Sequence, residues 1–146
     1  MNTPVTPYVL HRPPMLLIDS LSAYDDDSAT TTLTVRDDLM FYEADGLPTW
    51  ASIELMAQTV SLYAGVQGDK QGTPPRLGFL LGTRKLELPF SHFAPDSVLT
   101  ITATRHYVHE NLGVFHCAIY FNDDTPPISA TLSVYEPNDD EIGMMS

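Results

Sequence analysis

The sequence has a single cysteine, Cys117, and few basic side chains: 7 Lys and Arg against 19 Asp and Glu. One cysteine excludes a disulfide within the chain and fits a reducing compartment. The formal net charge of -12 and the pI of about 4.4 argue against binding to nucleic acid or to anionic membrane surfaces. We therefore expect a cytoplasmic protein with neither kind of partner.

A continuous hydrophobic segment is also missing from the N-terminus, where MNTPVTPYVLHRPP predicts no signal peptide. The longest apolar stretch contains Glu54 and Gln58 and is only marginally long enough to cross a bilayer, so we do not interpret it as a membrane span. With 43% apolar residues, a chain of 146 residues can bury a core of its own. We expect one domain over residues 1–146, with an N-terminal arm at residues 1–14 and a flexible acidic tail at residues 137–146.

What the sequence does contain is an apolar stretch at residues 46–68 with a single charged side chain, Glu54. Its apolar residues face most directions when projected at 100° per residue, which predicts a buried helix over residues 48–65. Glu54, Gln58 and Ser61 form a narrow polar line along this helix. A carboxylate in apolar surroundings is usually paired, protonated or used, so Glu54 is either a general acid or base or a residue held by structural hydrogen bonds.

Strand patterns lie on both sides of this helix. Two strands are predicted before it, at residues 15–19 and 29–36, with a polar turn between them that has too few oxygen ligands for a metal site. Gly and Pro mark a linker at residues 67–75 and a turn at residues 89–97. Four further strands are predicted at residues 76–88, 98–108, 114–121 and 128–135. An antiparallel sheet of five to six strands around one long helix is the economical α+β arrangement, and its open edges commonly pair in a dimer.

Three segments carry recognisable motifs. Residues 11–19 read HRPPMLLID, residues 53–58 read IELMAQ and residues 79–85 read FLLGTRK. In this order they resemble the N-terminal H-R-x-P-x-L-L-x-D signature, the helical L-E-A-x-A-Q and the glycine-bearing strand of the hotdog-fold β-hydroxyacyl-carrier-protein dehydratases. The GLP at residues 46–48 is most similar to the dehydratase-like proteins of aryl polyene biosynthesis clusters. The resemblance covers about residues 8–136.

This resemblance implies a hotdog fold and the removal of water from a 3-hydroxyacyl thioester on an acyl carrier protein, with no cofactor. Glu54 matches the carboxylate that handles the departing β-hydroxyl, and Gln58 is its expected support. Gly82 matches the position whose backbone N–H would polarise the thioester carbonyl. Arg84 and Lys85 either dock an acidic carrier protein or are exposed strand residues.

The loop before the helix departs from the family pattern. The family has F-x-G-H-F-P-G, whose histidine removes the α-proton, but residues 41–48 read FYEADGLP. The sequence alone brings none of its five histidines to Glu54, and all are interpreted as structural: His11, His92, His106, His109 and His116. Glu43 and Asp45 are alternative bases, but are expected to be solvated loop acids. Since the family's histidine and carboxylate come from different subunits, we expect a homodimer or a heterodimer with a hotdog subunit that bears the histidine.

Two other functions stay open. A hotdog thioesterase would use Glu54 to activate water or attack the carbonyl, and this chemistry needs no loop histidine. A non-catalytic partner subunit would bind acyl chains or complete an assembly without using Glu54. Trp50, Met56 and Phe79 either line an acyl tunnel or pack in the core.

Overall fold

The computed structural model describes residues 3–74 and 78–136. The acidic tail expected at residues 137–146 and the predicted start of a strand at residue 76 lie outside the described residues. Within the described residues, no helix is long and apolar enough to span a membrane. The same residues contain no group of three or more His, Cys, Asp or Glu side chains that could hold a metal ion together.

The arm before the first strand packs onto the rest of the molecule. Thr3 pairs with Leu21 in an isolated β-bridge, and Val5 and Val9 are buried among the core residues. Residues 3–14 form turns but no helix or strand. The arm therefore contributes to the core.

A hairpin follows, in which β1 (Ser20–Tyr24) pairs antiparallel with β2 (Ser28–Thr34). The predicted alternation of β2 is present, since every second residue from Ala29 is buried. The strand predicted at residues 15–19 is wrong, because β1 begins at Ser20 and backbone groups of the preceding segment bond to a helix side chain instead. The hairpin is confirmed, with its first strand shifted along the chain.

The central helix begins and ends later than predicted. Strand β3 (Leu47–Pro48) and one 3₁₀ turn (Thr49–Ala51) precede helix α1 (Ser52–Lys70), so Pro48, the predicted first residue of the helix, lies in β3 instead. The helix continues into the predicted linker because Val66 is buried in the core and Gln67 donates a hydrogen bond to the turn between β1 and β2. Tertiary contacts therefore outweigh the glycines that predicted an earlier end.

Five strands complete the chain: β4 (Phe79–Arg84), β5 (His92–Phe93), β6 (Val98–His109), β7 (Leu112–Tyr120) and β8 (Ile128–Tyr135). Four of them coincide with predicted strands. β4 ends at Arg84, before the predicted end at residue 88. The next residue, Lys85, adopts a left-handed backbone conformation with φ of 63°. β5 lies inside the predicted turn and pairs with β3.

The six longer strands form one antiparallel sheet in the order β1-β2-β6-β7-β8-β4. Helix α1 packs mainly against β6, β2 and β7 in the middle of this sheet. The predicted α+β arrangement, with an antiparallel sheet of six strands and one long helix, is confirmed. Most of the helix circumference is buried, as the sequence pattern indicated, and one face with Glu54, Ala57 and Ser61 is half-buried.

β4 forms one edge of the sheet, and among the described residues its only strand partner is β8. Leu80 and Leu81 of this strand are 42% and 61% exposed. Apolar side chains beside unpaired backbone groups favour pairing with a further strand. The open edge expected from the sequence is therefore present at β4.

Candidate active site

Glu54 lies in the first turn of α1, where its side chain is half-buried. One turn later, Gln58 donates a hydrogen bond from Nε2 to Glu54 Oε1 at 2.8 Å. No residue in the described part of the chain donates to the second carboxylate oxygen, Oε2. The carboxylate is thus held at one oxygen and free to meet a ligand at the other.

Gln58 is fully buried and uses its side-chain amide on three partners. Its Oε1 accepts a hydrogen bond from the Leu17 N–H at 2.9 Å, and its Nε2 donates to the Met15 carbonyl at 2.8 Å as well as to Glu54. Because a backbone N–H can only donate, these contacts determine which end of the amide is the oxygen. Gln58 therefore joins the HRPPMLLID segment to the helix and orients the carboxylate.

Replacing Gln58 with alanine is expected to lower the free energy of unfolding by several kcal/mol, because each buried group left without a partner costs about 1–3 kcal/mol. Urea unfolding measures this loss. Gln67→Ala is the matched control: the same helix carries this amide, whose single bond to the Asp25 carbonyl lies at the exposed surface. Equal losses in the two variants would contradict a special role for the Gln58 contacts.

A cavity of about 180 Å³, called here the site cavity, lies beside Glu54. Its walls include residues 8–11 of the arm, Glu54, Ala57 and Ser61 of the helix, and Leu80 of β4. Two members of the polar line predicted from the sequence, Glu54 and Ser61, therefore face one cavity. The cavity gives the carboxylate a place to meet a small polar group.

Two larger cavities lie elsewhere on the molecule. A cavity of about 430 Å³ lies between the C-terminal half of α1 and the β6–β7 hairpin, with Tyr63 and Phe115 in its walls, and a groove of about 610 Å³ lies beside Tyr120. Neither contains Glu54 or Gln58. We assign the site by its chemistry, because a carboxylate held by a buried amide in a cleft is the more informative feature.

The three residues considered for an acyl tunnel line none of these three cavities. Met56 is fully buried in the core. Trp50 is exposed and packs edge-on against Phe41, with ring centroids 5.0 Å apart. Met56 is therefore a core residue, as the alternative interpretation expected.

Gly82 lies in β4, opposite Ser133 of β8 and next to a register shift. It is exposed, and a Cβ built on it would meet no atom within 4 Å. It is not among the residues that line the site cavity. No close approach within the chain requires glycine here, so its proposed contact with a thioester depends on a bound substrate.

The two basic residues after Gly82 are exposed. Arg84 is the last residue of β4, and Lys85 follows it. Lys70, at the end of α1, forms an ion pair with Asp26 at 3.2 Å. A docking role for Arg84 and Lys85 stays a prediction.

Cys117 is the only thiol, and the structure excludes it as a nucleophile. The side chain is buried in the core, and burial raises its pKa to about 12. At neutral pH it is therefore the unreactive thiol form.

Four of the five histidines lie away from the site cavity. The Nε2 atom of His92 is 2.6 Å from Glu43 Oε1. The rings of His106 and His116, on β6 and β7, have centroids 4.5 Å apart, and His109 is exposed at the end of β6. None of these four lines the cavity.

His11 does line the site cavity, which the sequence alone did not indicate. Its Nδ1 atom is buried and has no hydrogen-bond partner among the residues described. Gln58 is the residue from which this placement could have been inferred, because a buried amide on an apolar helix needs hydrogen-bond partners. The HRPPMLLID segment supplies these partners at Met15 and Leu17. Those bonds place the N-terminal signature beside the helix carboxylate.

Comparisons with known proteins identify the family and the fold. The family model of the ApeP-like proteins, described as ApeP dehydratase, matches residues 3–145. A chain in the solved structure of the dehydratase heterocomplex ApeI:P from Xenorhabdus doucetiae is 30% identical, with a TM-score of 0.88, over 97% of this chain and 96% of that chain. No curated protein matches the sequence.

Two other solved proteins share the fold at low identity. A hypothetical thioesterase with coenzyme A from Streptococcus pneumoniae is 15% identical over 81% of this chain and 84% of that chain, with a TM-score of 0.63. The Escherichia coli PaaI protein from the phenylacetic acid degradation operon is 14% identical over 81% of this chain and 78% of that chain, with a TM-score of 0.62. These two show a common fold and nothing about activity. The predicted hotdog fold is confirmed, and the chain belongs to the ApeP-like dehydratase family.

Proposed function

We propose that this chain is the carboxylate-bearing subunit of a dehydratase that removes water from a 3-hydroxyacyl thioester on an acyl carrier protein, in aryl polyene biosynthesis. The observation that carries the proposal is Glu54, which is held by the buried Gln58 and lines a cavity. Membership of a dehydratase family supports the reaction class.

The chemistry needs one base and one acid. The base removes a proton from the α-carbon, and the electrons of that C–H bond form the new double bond to the β-carbon. The bond from the β-carbon to its hydroxyl then breaks, and the departing oxygen takes a proton from Glu54 and leaves as water. Gln58 holds one carboxylate oxygen, so the other can carry this proton.

The loop that carries the base in similar dehydratases has no histidine in this chain. His92 is the histidine nearest to that loop in the fold, because β5 pairs with β3 just before the helix. Both of its ring nitrogens already have partners, Nε2 with Glu43 at 2.6 Å and Nδ1 with Ser91 at 2.9 Å. We therefore assign the base to the loop histidine of a second hotdog subunit.

The β4 edge is where that subunit would join. Leu80 lies on this edge and also lines the site cavity, so a strand added at the edge lies beside the cavity wall. The similar structure from Xenorhabdus doucetiae is a heterocomplex, which supports a partner that differs from this chain.

Two further contacts belong to the same proposal. The N–H of Gly82, an exposed residue, would donate to the thioester carbonyl, because the open space around this residue leaves room for a ligand. Arg84 and Lys85, also exposed, would attract the acidic carrier protein. Both contacts are predictions that a complex with a carrier protein would test.

The chain alone is expected not to dehydrate a 3-hydroxyacyl thioester, because it has the acid without the loop base. Mixed with a hotdog subunit that bears the loop histidine, it is expected to form the enoyl product, which mass spectrometry detects. The same subunit with that histidine replaced by alanine is the control and should restore nothing. Full activity of the chain in isolation would end the assignment of the base to a partner.

Thioester hydrolysis is the second candidate, favoured by the carboxylate that stands without a loop histidine. Hydrolysis releases a free thiol, whereas dehydration leaves the thioester intact. Assaying free thiol in the same mixtures separates the two. Thiol release that requires Glu54 and yields no enoyl product would favour the thioesterase.

A further inference from the structure

Two exposed histidines lie side by side on the outer face of the sheet. His106 is on β6 and His116 is on the neighbouring strand β7. His116 alternates along β7 with the buried Phe115 and Cys117, and the Phe115 ring contacts Tyr63 of the helix, so His116 faces away from α1. The two imidazole rings have centroids 4.5 Å apart and planes inclined at 55°. Neither histidine lines the site cavity or the two larger cavities, so the pair is separate from the proposed dehydratase site.

A β-bulge in β6 brings His106 to this place. The strand register shifts between Arg105 and Tyr107, so the intervening His106 has no partner residue in β7. Thr104 is the residue directly opposite His116. A bulge of this kind bends the strand and re-aims the side chain of the extra residue. The imidazole of His106 consequently joins Thr104 as a neighbour of His116.

The ring of His116 is held by the next strand of the sheet. Its Nδ1 atom lies 3.2 Å from Oγ1 of Thr131, the residue opposite it on β8. Thr131 is buried, so packing holds its side chain in place. Histidines that bind a metal usually donate a hydrogen bond from the ring nitrogen that is not bound to the metal. When Nδ1 donates to Thr131, the lone pair of Nε2 is left for a ligand.

The ring of His106 is free to turn. Within the described part of the chain it makes no hydrogen bond, and its ring contact is with His116. The χ2 torsion of a histidine has a broad energy minimum, and this residue is exposed. Directing a nitrogen of His106 towards the Nε2 side of His116 therefore breaks no hydrogen bond.

We propose that His106 and His116 together bind one divalent transition-metal ion of the kind that imidazole prefers, Zn²⁺, Ni²⁺ or Cu²⁺, with Thr131 as the positioning residue for His116. Neutral imidazole is the commonest protein ligand for such ions. The formal net charge of -12 also attracts cations to the protein. Two protein ligands leave the remaining coordination positions to water, so this is an open site.

A bound ion links β6 to β7 beside the bulge, where the ladder of backbone hydrogen bonds is interrupted. The unfolded chain does not hold the two imidazoles in this arrangement. The ion therefore binds the folded state more tightly than the unfolded state, and such binding stabilises the fold.

Isothermal titration calorimetry of the full chain with Zn²⁺ tests the proposal. The buffer contains excess Mg²⁺, which competes for carboxylate oxygens and leaves imidazole nitrogens free. The wild type is expected to bind a single Zn²⁺, and His106→Gln and His116→Gln should each weaken binding about tenfold or more. His109→Gln, at an exposed ring on the same strand, is the control and should bind like the wild type.

Two substitutions of Thr131 test whether His116 is oriented for the metal. Thr131→Val keeps the size of the side chain but cannot accept the hydrogen bond from Nδ1, and should weaken Zn²⁺ binding about tenfold. Thr131→Ser keeps the hydroxyl and should bind like the wild type. Equal affinity of the valine and serine variants would overturn the positioning role of Thr131.

Electron paramagnetic resonance with Cu²⁺ counts the nitrogen ligands. The wild-type spectrum is expected to show coupling to two nitrogens, and the spectrum of each single-histidine variant to one. Zn²⁺ should also raise the urea midpoint of the wild type and leave that of the double variant His106→Gln, His116→Gln unchanged. Absence of saturable Zn²⁺ binding up to about 1 mM, or wild-type affinity in either single-histidine variant, would overturn the inference.

Discussion

Glu54→Gln in the assembled complex is expected to lower kcat/KM for dehydration by about 10²–10⁴, the usual contribution of a positioned general acid. Glutamine has the size and shape of glutamate and can keep the hydrogen bond that Oε1 accepts from Gln58 at 2.8 Å. It has no proton to give to the departing hydroxyl. The loss should therefore fall on turnover, with thermal unfolding and assembly unchanged.

Glu110→Gln provides the control, because that side chain is 85% exposed and lies in the turn between β6 and β7. It makes the same chemical change away from the site cavity and should leave the rate at the wild-type value. If Glu54→Gln were fully active in an active complex, the carboxylate would not take part in the reaction. The chain would then be the non-catalytic partner subunit.

Gly65→Ala is expected to destabilise the fold and to disturb the site together. A Cβ on this residue would lie 1.8 Å from the carbonyl oxygen of Tyr8, a backbone atom that cannot yield without moving the arm. Overpacking of this kind typically costs about 1–3 kcal/mol, and Tyr8 is one of the arm residues that line the site cavity. Urea unfolding and dehydration rates should both register the change.

Gly68→Ala, one turn further along the helix, is the matched control. Both substitutions gain up to about 1 kcal/mol of helix propensity, but at residue 68 the nearest atom to an added Cβ is the Thr73 oxygen at 3.3 Å. Gly68→Ala should therefore stay within about 1 kcal/mol of wild type. Equal stability of the two variants would mean that the arm adapts to the extra methyl group.

The parts of the fold that could be predicted are those with a periodic pattern of their own. The alternation in β2 follows from burial on one face. β8 has the predicted bounds, but its alternation stops at Thr131, which is buried between the buried Ala130 and Leu132. The polar line of Glu54 and Gln58 on an apolar helix indicated where the chemistry lies, and the hydrogen bond between them follows from their i, i+4 spacing.

What could not be predicted depends on contacts between distant segments. Residues 15–19 have the composition of a strand, but Gln58 takes the Met15 carbonyl and the Leu17 N–H. β5 has two residues, too few for any alternation to show, and exists because β3 lies beside it. His11 reaches the site cavity for the same reason, since its place depends on bonds made by residues later in the signature.

The double position of Leu80, on the unpaired β4 edge and in the wall of the Glu54 cavity, has a consequence for how such a subunit would change over evolutionary time. If the proposed partner subunit joins at this edge, a substitution that changes the cavity wall for a new acyl group also changes the interface with that subunit. Substrate preference and partner specificity would then change together. The genes for the two subunits would have to coevolve.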